Sequence, residues 1–344
     1  MEKEVKKTDI GNLGEFGLIE RIKDSTVTRN PGTKKGIGDD AAVIDTGSNL
    51  MVVSSDILVE EIHFDLSFMP LKHLGYKSAV VNISDIAAMN AIPRQLTVNL
   101  ALSNRFSVEA IDEFYKGISS ACENYKVDLV GGDTSSSTSG LIISITAMGE
   151  VTQEEVTYRS GAKENDIICV TGDLGASYLG LQVLKREKAV YLANPDMQPE
   201  LSDFDYLVKR HLKPEARTDI IHELKEAGIK PTAMIDISDG LASELLHIAK
   251  ESGHGLNIHS DKLPIDDLSF KTAEELNLDP TTCALNGGED YELLFTVDQN
   301  DYEKIKYLPD ITLIGYITAK GGDARLVTNT GDAIPLKAQG WQHF

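Results

Sequence analysis

Leu50-Met51-Val52-Val53-Ser54-Ser55-Asp56 opens apolar and closes polar. The first part predicts a strand over 50–54, and the break in the pattern places two hydroxyls and a carboxylate at its end. A strand that delivers an acid to its tip suits an α/β site, because the sheet buries its length and leaves its terminus to chemistry. The same unit recurs on either side. Residues 127–130 run into Gly131-Gly132-Asp133-Thr134, and Met234-Ile235 runs into Asp236-Ile237-Ser238-Asp239. Residues 96–102 alternate as a strand and 141–151 are strand-like again. Small and apolar residues over 74–89 read as a helix, and 108–125 carries apolar residues at helical spacing.

The second half restarts with a strand at 167–171 and a helix at 176–188. Helices follow at 206–211, 218–227 and 241–252, with strands at 233–237, 256–259, 293–297 and 311–317. Near Tyr158-Arg159-Ser160-Gly161-Ala162-Lys163-Glu164-Asn165 the apolar pattern lapses, which places a boundary between a domain over 1–160 and another over 161–344. Two domains are also what 344 residues favour. The class is mixed α/β. Ile83-Ser84-Asp85 and Ile237-Ser238-Asp239 each stand beside small residues and a helix, a slight internal echo.

Composition narrows the function. With 54 acidic against 33 basic side chains the formal net charge is -21, a surface that repels a phosphate backbone and argues against nucleic acid. Cys122, Cys169 and Cys283 lie far apart without C-x-x-C spacing, which argues against zinc and against a disulfide framework. The charged start and the absence of any long apolar run predict a cytoplasmic chain that does not enter a membrane. No G-x-x-x-x-G-K-[ST], helix-opening G-x-G-x-x-G, G-x-S-x-G or H-E-x-x-H occurs, and the histidines are dispersed.

What remains is acids beside glycines: Gly36-Ile37-Gly38-Asp39-Asp40, Ser54-Ser55-Asp56, Asp85, Gly132-Asp133, Asp236 with Asp239, and Gly287-Gly288-Glu289-Asp290. Singly, each is also ordinary turn or helix-cap chemistry. Together they match what phosphoryl transfer needs, namely carboxylates for a hard cation and side-chain-free backbone for phosphate oxygens.

Read in order, these segments resemble the thiamine-monophosphate kinase family, within the superfamily of aminoimidazole ribonucleotide synthetase and selenophosphate synthetase. The resemblance runs from Gly14-Glu15-Phe16 through Val59-Glu60 with His63-Phe64, Asn82-Ile83-Ser84-Asp85, Gly131-Gly132-Asp133-Thr134, Arg159-Ser160-Gly161-Ala162 and Val170-Thr171-Gly172-Asp173. It continues through Asp236-Ile237-Ser238-Asp239-Gly240-Leu241 and Gly287-Gly288-Glu289-Asp290-Tyr291-Glu292-Leu293 to Gly340-Trp341-Gln342-His343-Phe344. Ser55 stands where the family often has Thr, and about ten extra residues precede the first motif. Selenophosphate synthetase is the nearest sibling, but it uses a reactive residue in an N-terminal glycine-rich segment, and the first cysteine here is Cys122. A magnesium-dependent nucleotide-binding module without catalysis is the alternative from another class.

The resemblance implies a two-domain fold of the aminoimidazole ribonucleotide synthetase type, with an N-terminal α/β domain whose strands pair across a homodimer and a C-terminal α+β domain. It implies ATP as co-substrate, several Mg2+ ions and thiamine monophosphate as acceptor. Carried over residue by residue, metal ligands fall on Asp40, Ser54, Ser55, Asp56, Asp85, Asp133, Asp236 and Asp239. Asp40, Asp85, Asp133 and Asp239 would be the catalytic acids. Nucleotide contacts fall on Lys116, Gly132, Arg159 and Ser238, and substrate contacts on His63, Glu289 and Trp341. The acceptor is already an anion at neutral pH, with a second phosphate pKa of about 6, so no general base is expected.

Overall fold

The computed structural model describes residues 14–339, so Trp341 lies outside them. The first sheet comprises β1 (Thr33–Lys35), β2 (Ala42–Asp45), β3 (Leu50–Val59), β4 (Ile92–Leu102), β5 (Asp128–Ser136) and β6 (Leu141–Val151), in the order β1-β2-β3-β6-β4-β5. Its pairs are antiparallel except β4 with β5. The second comprises β7 (Ile167–Thr171), β8 (Ala233–Asp236), β9 (His254–His259), β10 (Leu293–Val297), β11 (Ile311–Lys320), β12 (Ala324–Val327) and β13 (Ala333–Pro335), in the order β13-β12-β9-β11-β7-β10-β8.

The strand read as ending at Ser54 runs on to Val59, paired with β6 from Leu50↔Val151 to Val59↔Ile142. Its polar residues do not stop it because they keep the two-residue alternation. Val52, Ser54 and Leu58 are buried on one face, while Ser55 and Ile57 are exposed on the other. Ser54 and Asp56 therefore point inward, where a helix supplies polar partners.

That helix is α2 (Leu71–Ala88), which follows α1 (Gly14–Ser25). Nearly every α2 residue from Leu74 to Ala88 is buried, as expected where a helix is enclosed on all sides. It packs on β3 and β6, and its far side meets α3 (Val108–Tyr125) and β8 of the second sheet. Two glycines set the approach of α2 to α3. A Cβ at Gly75 would lie 2.0 Å from the Phe114 carbonyl oxygen, and one at Gly117 would lie 2.0 Å from that of Lys72. Helix α2 thus fills the seam between two halves whose cores are built from different strands.

Around the second sheet lie α4 (Ala176–Ala193), α5 (Asp205–Leu212), α6 (Thr218–Glu226), α7 (Leu241–Ser252), α8 (Asp267–Glu275) and α9 (Pro280–Asn286). The loop leading into β10 crosses the seam, because Tyr291 packs with the core of the first half.

Candidate active site

Four elements bring carboxylates together at the seam. Asp40 ends the glycine loop before β2, Asp56 lies on β3, Asp85 near the end of α2, and Asp236 at the end of β8. Asp40, Asp85 and Asp236 each offer an oxygen, and these oxygens lie within 4.8 Å of one another. Asp56 adjoins the group through a hydrogen bond with Asp85.

The positions are held by neutral partners. Ser54 Oγ donates to Asp85 Oδ2 at 2.5 Å, and the Asp56 N–H donates to Asn82 Oδ1 at 3.0 Å. Ser84 Oγ donates to Asp236 Oδ2 at 2.6 Å, tying α2 to the second sheet. Arg159 forks onto Asp40, with Nε to Oδ2 at 3.1 Å and a terminal nitrogen to Oδ1 at 2.7 Å. Its backbone N–H donates to Asp39 Oδ1 at 3.1 Å, and Lys35 pairs with the same carboxylate at 2.9 Å.

One guanidinium cannot neutralise four buried acids, and their hold on protons is strengthened. Burial, then the charges of Asp56, Asp236 and Asp40, hold Asp85 well above its ordinary 3.8. Burial and Asp40 push Asp236 up to about 7 against the opposing effects of Ser84 and Arg159, and burial pushes Asp56 up to about 6. Burial also raises Asp40, although Arg159 pulls the other way. Clustered hard oxygens that must shed protons to become fully charged are a fitting donor set for Mg2+.

Two loops extend the centre. After β8, the Asp239 N–H donates to Glu244 Oε1 at 2.9 Å, and Glu244 itself is buried, its carboxyl raised by burial and by Asp239. The segment Gly287-Gly288-Glu289-Asp290-Tyr291-Glu292 lies against this loop: the Glu289 N–H donates to the Ser238 carbonyl at 2.6 Å and the Tyr291 N–H to that of Ile237 at 2.9 Å. Its side chains then diverge. Asp290 accepts from the Gly175 and Ser177 N–H groups at 2.9 and 3.4 Å, at the start of α4. Glu292 binds Arg210 at 3.0 Å, Arg217 at 2.8 Å and Thr171 Oγ1 at 2.6 Å. Glu289 pairs with Lys77 at 3.0 Å and with His211 at 3.2 Å, its side chain 31% exposed.

Several expected residues stand elsewhere in the single chain. Ser55 points to the opposite face of the sheet from Asp56, with Oγ 3.1 Å from the Ile145 carbonyl oxygen and 3.0 Å from Thr146 Oγ1. Asp133 and Gly132 lie on β5, an exposed edge strand, and the Asp133 carboxylate caps the Thr134 N–H at 2.8 Å. A Cβ at Gly132 would fall 1.8 Å from the Val98 carbonyl oxygen, so glycine is required there by strand packing. Lys116 is on the solvent side of α3, paired with Glu113 at 2.6 Å. His63 sits in the turn after β3, with Nδ1 accepting from the Val59 N–H at 3.0 Å.

Sequence reasoning gave no role to Asn82, Ser84, Lys77, His211, Glu244, Glu292, Arg210 or Arg217. For the α2 members a signal existed, since Lys77, Asn82 and Ser84 are polar residues inside an otherwise small and apolar helix.

A two-sheet fold with acids converging on its seam defines a class, and residues 38–151 match the family described as AIR synthase related protein, N-terminal domain. The particular family is shown by full-length relatives. Thiamine-monophosphate kinase of Bacillus subtilis (strain 168) is 36% identical over 339 residues, covering 96% of this chain and 100% of that protein. The solved structure of AaThiL complexed with AMPPCP and TMP superposes with a TM-score of 0.83 at 33% identity, covering 98% of this chain and 99% of that one. Thiamine monophosphate kinase from Stenotrophomonas maltophilia K279a gives a TM-score of 0.72 at 32% identity, covering 94% and 98%. The chain belongs to the thiamine-monophosphate kinase family.

Proposed function

We propose that this protein transfers the terminal phosphoryl group of ATP to thiamine monophosphate, giving ADP and thiamine diphosphate. The observation that carries the reading is the buried carboxylate group at the seam, in a chain that aligns from end to end with that family. Asp40, Asp56, Asp85 and Asp236 would hold Mg2+, with Asp239 and Ser54 beside them. Magnesium, when bound, supplies the positive charge that screens an anionic acceptor from an anionic donor.

The protein's own residues orient and exclude. Ser84 and Asn82 fix Asp236 and the backbone at Asp56, and enclosure of α2 keeps water from the buried side of the acids. Arg159, now forked onto Asp40, presents the bidentate geometry that also suits a phosphate. Ser238 and Gly132 would contact the nucleotide, and His63, Glu289 and Trp341 the acceptor. Because the acceptor phosphate is already ionised, the site needs no base to remove a proton.

We also infer a homodimer. Among the described residues one face of the first sheet lies uncovered by helices, with Ile57 exposed on it, and edge strand β5 exposes Leu129 and Val130. Such an apolar face and open edge call for a second copy. In that assembly Ser55 and Asp133 would complete the active site from a covered surface. The division near residue 160 then separates a nucleotide-binding, dimer-forming half from one that completes the site. Among the described residues no helix is long and apolar enough to cross a membrane; a cytoplasmic enzyme is the reading consistent with the sequence.

The test is ADP release with each candidate acceptor, the product identified by mass. Release should depend on thiamine monophosphate and yield thiamine diphosphate. Equal turnover with free thiamine would refute a phosphate acceptor, and activity with selenide alone would move the chain to a sibling enzyme.

A further inference from the structure

Lys77 is among the largest fully buried side chains of the described residues, only 1% exposed, two helical turns before Asp85 on α2. Its Nζ lies 3.0 Å from Glu289 Oε1 and donates to the His211 carbonyl oxygen at 3.2 Å. His211, from α5, places Nδ1 3.2 Å from Glu289 Oε2. Burial, then the Lys77 charge, keeps the His211 ring below its ordinary 6.5, so at neutral pH it is uncharged and Nδ1 donates its single proton to Glu289.

Both oxygens of Glu289 are thus gripped from behind, by groups on two different helices. The Glu289 side chain is 31% exposed, against 1% for Lys77 and 3% for His211, so it alone of the three reaches the open side. Its backbone has a φ of 56°, a conformation that a glutamate does not choose unaided. A buried ammonium is a costly way to fill space; an apolar side chain of similar volume usually serves stability as well or better. The ion is therefore retained for orientation rather than for packing.

We propose that Lys77 and His211 are positioning residues that lock the Glu289 carboxylate toward the acceptor, registering the acceptor pocket to the helix that carries Asp85. The proposal deepens the reading of Glu289 as an acceptor contact and rests on it. One rigid rod then sets both sides of the transfer: Asp85 and Ser84 fix the acid centre, and Lys77 fixes the group that meets the incoming ring system. Donor and acceptor are aligned by the spacing of residues along a single helix. Misplacement of about 1 Å can cost two orders of magnitude in such a reaction.

The experiment is a double-mutant cycle on the full-length enzyme with Lys77→Met, which keeps the unbranched stem, Glu289→Gln, and both together. The Michaelis constants for thiamine monophosphate and for ATP are measured separately. Lys77→Met should raise the acceptor constant roughly tenfold and leave that for ATP within about twofold. The double variant should be no worse than Glu289→Gln alone, because Lys77 acts through that carboxylate. If Lys77→Met does not fold, His211→Phe keeps the ring and carries the same expectation. An effect of Lys77→Met that adds fully to that of Glu289→Gln overturns the proposal, as does an equal rise in both constants. If Glu289→Gln raises the acceptor constant and Lys77→Met does not, the clamp fails while the acceptor reading of Glu289 stands. If Glu289→Gln itself leaves the acceptor constant unchanged, that reading fails and takes the clamp with it.

Discussion

Asp85→Asn exchanges one oxygen for an amide nitrogen at the centre of the acid group, and its consequences differ sharply with and without ligand. In the ligand-free protein Asp85 is held well above its ordinary value by burial and by three neighbouring carboxylates, which favours its protonated form. The amide therefore imitates the resting state. Its oxygen can still accept from Ser54 Oγ, and its NH2 can donate to Asp56 as the carboxyl proton does. Two ionised groups at 4.8 Å, the outer limit of the spacing here, would repel by about 3.5 kcal/mol at an effective dielectric of 20. That is why the proton stays. Ligand-free stability should change by no more than about 0.5 kcal/mol at pH 7.

Magnesium with a non-hydrolysable ATP analogue at a hundred times its dissociation constant should stabilise the wild type by about 2.7 kcal/mol. At roughly 2–4 °C per kcal/mol for large domains, that is a rise in melting temperature of several degrees. Asp85→Asn cannot supply the charge, so the rise should vanish and turnover should fall by about a hundredfold or more. The assay is thermal melting of both proteins with and without ligand, beside ADP release. A variant that keeps the full rise and full turnover would refute the metal assignment. A ligand-free variant that melts many degrees lower would refute the protonated resting state.

Stability without ligand should also fall as pH rises. Asp56 and Asp236 have folded values of about 6 and about 7, above their ordinary 3.8, so the folded state binds protons that the unfolded chain releases. Their contribution is complete below pH 4 and lost as pH rises through 6 and 7, so melting should drop between about pH 6.5 and 8, above most of the range in which His211 and His247, both held low, add stability as pH rises; magnesium should flatten the drop, and a ligand-free rise would contradict it. Glu292→Gln leaves Arg210 and Arg217 without their shared carboxylate inside the protein. It should cost about 3–5 kcal/mol, roughly 10 °C of melting temperature, and an unchanged melting curve would show that the network adds nothing. If the proposed homodimer forms through the exposed edge, Val130→Glu should give monomers in sedimentation equilibrium without lowering protomer stability; an intact dimer would exclude this edge from the interface.

How much of this was legible in the sequence depended on whether a residue's partner lay nearby in the chain. Val108–Tyr125 and Leu241–Ser252 were readable to the residue, because an amphipathic helix writes its face in its own periodicity. Leu293–Val297, an apolar run with clear ends, was readable too. Strand β3 was cut short at Ser54 because polar residues inside a strand look like its end unless the helix that satisfies them is known. Strand β5 was missed beyond residue 130, since Gly131-Gly132 reads as a turn; only contact with Val98 shows why a strand needs glycine there. The family resemblance named Asp40, Asp56, Asp85 and Asp236 together, and the fold brings these four to one centre.

The groups that hold those acids have a different kind of invisibility. Ser84 reaches Asp236 across 152 residues of sequence, Arg159 reaches Asp40 across 119, and Lys77 reaches His211 across 134. Nothing local distinguishes such a serine from a helix residue or such a lysine from a solvated one. The one local trace is negative: from Leu74 to Ala88, α2 leaves almost no surface on which a polar side chain could meet water, so a polar residue there needs a protein partner. Counting those residues along 74–88, Tyr76 apart, gives Lys77, Ser78, Asn82, Ser84 and Asp85. Ser78 bonds back within its own helix, to the Leu74 carbonyl at 2.7 Å. Asn82 also does so, to the Ser78 carbonyl at 3.1 Å, but its oxygen still receives the Asp56 N–H. The remaining three reach outward to β3, to β8 and to the loop before β10, the segments that carry the acids and Glu289. A buried helix rich in polar residues is therefore a prediction of a site even before its partners are known, because burial without partners would cost more than the fold could bear.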